Sequence, residues 1–362
     1  MMKPQHTRSV LIDGLKAVAI ILVIVGHAMQ FGSGMHSYVY SVFFDNAVFK
    51  VIYGFHMPLF MLISGYLFWH SMQRHSFKEN AVSRVTSLLV PVMLWSIIPY
   101  IIRIASGEEH GVLMIIRAYF TTCMGNFWFL WAVLLSSVIV MLVSRFCGDN
   151  ASIYIILAVL MLCTPDFSRL HLYKFMYGYF VVGYMWAKGQ HSQAAGPDSL
   201  RAVKPYKIAA ALIATGAVYL LMLPLYEKDC YIYTTGFSLL GKDYIIQLVI
   251  DVFRFIIGMA GSSAVILFAM LLRCMYRNVD FLRKICGQLI NFLSYVGKNT
   301  LGIYLISTLI FEYIIKPLAW GLYGIDYTMI LIQSAAVLLL SLAIIWLVRR
   351  IPVVGRWLLG GR

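Results

Sequence analysis

Asp13, Lys16 and His27 lie within one apolar stretch, residues 8–34 (RSVLIDGLKAVAIILVIVGHAMQFGSG). Read as a helix, it is long enough to cross a bilayer. An ionisable side chain at membrane depth is costly and marks a functional candidate by default. Lys16 and His27 are eleven residues apart, which is three turns plus roughly 20° at ~100° per residue. They share a face, about 16 Å apart along the axis, and Asp13 falls only about 40° from His27 on the same wheel. The chemistry open to such a stripe is proton transfer at the imidazole and contact with a ligand along the lysine. Two structural roles compete: Asp13 and Lys16 snorkelling to the inner headgroups, and His27 packed as an interfacial histidine.

A second candidate lies in FKVIYGFHMPLFMLISGYLFW, residues 49–69, where His56 precedes Met57-Pro58. Proline inside a span frees a backbone carbonyl and kinks the helix, which is tolerated where neighbours or a cavity compensate. Ser64 and Gly65 allow close helix approach. A short connection joins this span to the first, so His27 and His56 can face one cavity near the outer membrane surface. The competing role for His56 is a hydrogen bond to a carbonyl within the bundle. Arg74, Lys78 and Arg84 follow the span. They are either ordinary inner-face charge or a holder for the phosphates of an anionic ligand. Trp128 stands in the Asn126–Leu130 run, which starts the fourth span and reads as an interfacial aromatic belt. Asp251 and Arg254, at i and i+3, read as a neutralising pair. Asn299, Thr300 and Tyr304 complete the candidates, with Thr300, Tyr304 and Ser307 on one helical face. No metal set and no HExxH, GxSxG, P-loop or GxGxxG arrangement stands out.

The elements that must carry these groups are transmembrane helices. Of the 362 residues, 61% are hydrophobic and 12% charged, with a mean hydropathy of +0.82. That places the chain among polytopic membrane proteins. Ten apolar runs are expected, at about 10–30, 48–70, 84–104, 126–145, 151–163, 172–188, 207–225, 244–273, 289–319 and 327–348. The fifth is short for a ~30 Å hydrocarbon core. Ten spans put both termini on one side. With both cytoplasmic, nineteen of the 29 Lys and Arg residues fall inside and eight outside, as the positive-inside rule requires. The net charge of +14 is thus spread as topology signals, which argues against nucleic acid as a partner. The first run is too long for a signal-peptide core and reads as a retained span. The expected architecture is one all-α domain over 1–362. Spans one to six lie within 10–188, a polar linker at 189–206, and spans seven to ten within 207–348. The six cysteines form no CxxC pair and read as small buried hydrophobes.

These pieces together resemble the membrane-bound acyltransferase family three, the bacterial integral-membrane O-acyltransferases. The resemblance rests on Lys16-x10-His27 in IDGLKAVAIILVIVGHA, FHMPLFMLISGYLF at 55–68 and the basic run into RVTSLLVPVMLW at 84–95. FWFL at 127–130, FMYGYFVVGY at 175–184 and GKNTLGIYLI at 297–306 add to it. Lys16 and the FHMP form look closest to the branch that acetylates sugars of surface polysaccharides. Ser307 stands where the family often has a histidine, so no catalytic role carries over to span nine. No appended SGNH-type esterase domain is expected, so the ten-span unit would act alone or with a partner.

The resemblance implies an O-acyltransferase of the bacterial inner membrane that uses acetyl-CoA as co-substrate, with no resident cofactor. Its acceptor would be a glycan or a lipid-linked sugar, and membrane lipids its surroundings. His27, with His56 beside it, would take the alcohol proton, or His27 would carry the acetyl group. The donor's phosphates would rest on Arg74, Lys78 and Arg84, and its pantetheine arm would run along Lys16. Asp13, Ser64, Tyr66, Trp128, Asn299, Thr300 and Tyr304 would line the cavity or touch the acceptor. A transporter or flippase for a lipid-linked glycan is the alternative. It explains buried charges but not their concentration at the first span and the FHMP–SGY block.

Overall fold

The computed structural model describes residues 9–33, 42–107, 111–164, 170–192, 204–233, 244–278, 280–319 and 324–361. Among them every regular element is helical. In order these are α1 (Val10–Phe31), α2 (Ala47–Tyr53), α3 (His56–Met72), α4 (Phe77–Arg84), α5 (Val90–Trp95), α6 (Ile97–Ala105), α7 (Val112–Asn126), α8 (Trp128–Phe146) and α9 (Ala151–Cys163). There follow α10 (Leu170–Ser192), α11 (Pro205–Met222), α12 (Tyr244–Asn278), α13 (Asp280–Lys298), α14 (Thr300–Ile310), α15 (Lys316–Leu318), α16 (Tyr327–Arg349) and α17 (Pro352–Leu358). Single π-helical turns at Val85–Leu89 and Phe311–Ile315 join α4 to α5 and α14 to α15.

Among the described residues, eight helical stretches are long and apolar enough to cross a membrane, making this a multi-pass membrane protein. Of the ten expected runs, 151–163 is the short helix α9, as its length foretold, and 172–188 lies in α10. Neither is among those eight. One boundary needs correction. The run 289–319 is not one helix, because the chain breaks at Asn299, so 289–298 belongs to the amphipathic α13 and the apolar span begins at Thr300. Most of the linker 189–206 falls outside the described residues. The cysteines need correction too: Cys123 and Cys230 are buried, Cys147 is exposed, and the others are half-buried.

α1 sits at the centre, packed against α3, α12, α13, α14 and α16. The spanning part of α2–α3 is 67% buried, against 11% of α11. The polar stripe therefore belongs to inner helices, and α11 and α16 turn Ile213, Leu221, Leu331 and Leu339 outward toward lipid.

Two local rules place α3. Pro58 lacks an N–H, so a helix through it must open. It opens at Gly54-Phe55, between α2 and α3. Lipid offers nothing to the loosened carbonyls, so side chains donate to them. Tyr219 Oη reaches the Val51 carbonyl at 2.6 Å and His56 Nδ1 the Ile52 carbonyl at 2.8 Å. Tyr226 Oη reaches Tyr53 at 3.5 Å, and Ser262 Oγ, at 3.2 Å, is a second donor to the Phe55 carbonyl beside the Leu59 N–H. Farther along, α3 lies backbone to backbone on α10. A Cβ on Gly65 would sit 1.9 Å from the Phe180 carbonyl oxygen, and one on Gly183 would sit 2.0 Å from that of Leu62. A similar approach seats Gly297 of α13 on the Asp13 carbonyl of α1, 1.9 Å from where its Cβ would be.

Candidate active site

His27 stands in the last turn but one of α1. Its ring meets Phe31 edge-on at 5.6 Å and Phe311, from the π-helical turn after α14, at 5.8 Å. A π turn re-aims the side chains it carries, and this one delivers Phe311 to α1. The imidazole is half-buried. Its Nδ1 is sealed from solvent and makes no hydrogen bond.

His56 opens α3 and is buried. Because a carbonyl can only accept, the contact with Ile52 puts the proton on Nδ1 and leaves the lone pair on Nε2. The Tyr53 ring lies edge-on to His56 at 4.8 Å. The same ring fills the space over Gly26, and its hydroxyl donates to Gln30 Oε1 at 3.2 Å. Tyr53 thus ties the His56 turn to the face of α1 next to His27. The two imidazoles lie within electrostatic reach of each other.

A narrow cleft opens on His56, with an interior of about 30 Å³. Its walls include Tyr53, His56, Tyr179, Tyr231, Tyr233 and Arg254. The Tyr231 hydroxyl donates to the Phe44 carbonyl at 3.0 Å. Burial pushes the phenols of Tyr226 and Tyr231 up, so both stay neutral donors at working pH. Trp128 stands behind this wall, its ring 5.9 Å from Tyr233.

The remaining candidates divide by position. Tyr304 is buried against Phe127 and Phe129, with ring centroids 6.2 and 6.1 Å away. Asp13, Asn299 and Thr300 gather near the other end of α1, where α13 breaks into α14. Asn299 Nδ2 donates to Tyr295 at 2.8 Å while its Oδ1 is buried without a partner, and Thr300 Oγ1 donates to Gly297 at 3.4 Å. Lys16 is half-buried one turn from Asp13. Arg74 and Lys78 are exposed just beyond α3, and the Arg84 guanidinium lies 4.6 Å over the Phe68 ring. A capping box between Ser76 and Glu79 fixes the start of the basic α4. Ser64 is half-buried along α3. Tyr66 is not brought to the His56 cleft: ten residues along α3, it packs on His70 and Trp186 and donates to Gln190 at 3.3 Å.

Sequence reasoning passed over several residues that the fold brings to the two imidazoles. Tyr53 was findable, one turn before His56. The sequence marks Arg254 only as a partner for Asp251, and that pair forms at 2.9 Å, buried. Phe311 and Tyr231 carry no local signal. Among the described residues no three His, Cys, Asp or Glu side chains gather as metal ligands.

A family model described as an acyltransferase domain matches residues 10–350. Nodulation protein NolL of Sinorhizobium fredii is 28% identical over 366 residues, covering 98% of this chain and 93% of the relative. Nodulation protein NolL of Mesorhizobium japonicum is 26% identical over 364 residues, covering 98% and 91%. No solved structure matches the chain.

Proposed function

Because the chain belongs to this family of acyltransferases, we propose that it transfers an acetyl group from acetyl-CoA to a hydroxyl of a surface polysaccharide or a lipid-linked sugar. The observation that carries the reading is that Tyr53 ties the His56 turn to the face of α1 next to His27, with basic residues at the far end of α3. The acceptor hydroxyl gives its proton to His27 Nε2 and its oxygen attacks the thioester carbonyl. The carbon–sulfur bond breaks, and the proton passes to the departing thiolate. If His27 instead carries the acetyl group on Nε2, the thiolate leaves first and the sugar attacks second. An acetyl-imidazole trapped without acceptor separates the two routes. Mass analysis of surface glycans from cells with and without the gene tests the reaction. A loss of one acetyl group per modified sugar is expected, and identical spectra overturn the reading.

The donor is held at the basic end. Arg84→Ala is expected to raise the apparent KM for acetyl-CoA by roughly 10–150-fold, the worth of one charge-assisted phosphate contact. Lys78→Ala, at an exposed position, should do less. An unchanged KM in well-expressed Arg84→Ala reduces the cluster to a topology signal.

In this reading α9 and α10 join the eight spans marked by length and hydropathy, giving ten, with both termini in the cytoplasm of a bacterial inner membrane. The strong inner bias of Lys and Arg supports it. A reporter active only outside the cell, fused after Arg362, should be silent. A bright reporter overturns the orientation and the two-sided delivery of donor and acceptor.

A further inference from the structure

Arg254 of α12 is buried, 6% exposed, and its guanidinium is spent almost wholly on backbone. Nε donates to the Cys230 carbonyl at 2.7 Å. Nη2 donates to the Asp229 carbonyl at 3.0 Å and to that of Tyr231 at 3.4 Å. Nη1 meets Asp251 Oδ1 at 2.9 Å, and Gln247 Nε2 donates to the same oxygen at 3.3 Å. One planar fork thus gathers three consecutive carbonyls, which a lysine ammonium on its flexible stem cannot do with the same geometry. Asp251 cancels the charge, so the pair offers the cleft little field. What it fixes is shape.

The segment so held, Tyr226 to Tyr233, supplies Tyr226, Tyr231, Ile232 and Tyr233 to the cleft that opens on His56. Its other side is tied down by the Tyr226 and Tyr231 hydroxyls on the Tyr53 and Phe44 carbonyls. A buried ion pair contributes little net stability against an apolar pair of similar volume, so a charge pair at this depth calls for a geometric use. With the Tyr226 and Tyr231 hydroxyls turned to backbone, the wall presents aromatic faces, which suit the apolar face of a sugar ring. The basic residues suited to the donor lie at the opposite end of α3.

We propose that Arg254 is a positioning residue for the acceptor: by fixing the 229–231 backbone it sets the tyrosine wall of the His56 cleft against which the sugar is held. The proposal rests on the acyl-transfer reading above. Atoms of Arg254 take no part in the transfer.

The test uses the full-length protein in membranes, acetyl-CoA as donor, and base-deacetylated surface polysaccharide of the producing strain as acceptor. Arg254→Lys keeps the charge and loses the fork. The acceptor KM is expected to rise about tenfold or more, on the scale of one lost charge-assisted hydrogen bond, with the acetyl-CoA KM unchanged. Cys230 supplies a readout free of catalysis. Its thiol is buried and pushed up by that burial, so maleimide should label it slowly in a chain whose other cysteines are serine, and faster once Arg254→Lys releases the segment. Tyr233→Ala trims the same wall with Arg254 in place and should also raise the acceptor KM, which keeps the test decisive if Arg254→Lys does not fold. Faster labelling with an unchanged acceptor KM overturns the proposal, as does a fall in kcat with both KM values unchanged. A wild-type chain that acetylates no sugar overturns the functional reading instead, and Cys230 labelling tells that failure apart.

Discussion

His27→Gln is expected to lower acyl transfer by about 10²–10⁴-fold, the usual contribution of a positioned base, while the protein still inserts and folds. Glutamine sets an amide close to where Nε2 stands but cannot take a proton near neutral pH. The fold gives it little to disturb. His27 makes no hydrogen bond through its buried Nδ1, and its ring contacts are with Phe31 and Phe311, so a side chain of similar length loses only ring edges. A purely structural His27 would therefore be largely rescued by Gln. His56 needs a different substitution, because its Nδ1 already serves the Ile52 carbonyl at 2.8 Å. His56→Ala would leave that carbonyl with only the long Phe55 N–H contact at 3.4 Å and the Gly54 N–H, and would confuse folding with chemistry. His56→Asn keeps a donor near the Nδ1 position and removes the Nε2 lone pair. Both variants are to be assayed as initial rates of labelled acetyl transfer in membranes, normalised to folded protein. Near-normal activity in His27→Gln with loss in His56→Asn would move the base to His56. Full activity in both would end the enzyme mechanism built on this pair.

Gly65→Val is expected to remove most of the folded protein. A Cβ at Gly65 would stand 1.9 Å from a carbonyl oxygen of Phe180 and 2.8 Å from its carbon. The obstacle is backbone, so no neighbouring rotamer can yield, and overpacking of this kind costs several kcal/mol once helices must part. The contact is reciprocal through Gly183 and Leu62, so Gly183→Val should behave alike. Small residues at such crossings let membrane helices pack where no hydrophobic drive is available. The effect reaches the site as well, because α3 begins with His56 and α10 carries Phe175, Met176 and Tyr179 of the cleft wall. Size-exclusion profile and thermal stability in detergent are the measurements. A wild-type profile for Gly65→Val would mean that α3 and α10 do not meet here.

Much of this was legible in the chain because the signals are local. Apolar run length is a property of consecutive residues, and it defined a helical membrane protein and even the shortness of α9. The stripe of Asp13, Lys16 and His27 follows from helical spacing alone. Pro58 must open its helix wherever it stands, since the missing N–H is its own. The family resemblance rested on the same motifs and proved right over residues 10–350.

Tertiary structure decided the rest. It turned Tyr66 away toward Trp186 and Gln190, brought Phe311 to His27, and set Arg254 on three carbonyls of a distant turn. It also split the ninth apolar run at Asn299. The reason lies in the solvent. In water an apolar stripe shows which face of a helix is buried. In lipid both faces are apolar, and α3, buried along most of its length, shows almost no preferred side in its sequence. Its rotation is chosen by shape, through glycines that admit a neighbour's backbone and polar side chains that must find the carbonyls a broken helix leaves open, and those partners lie far away in the chain.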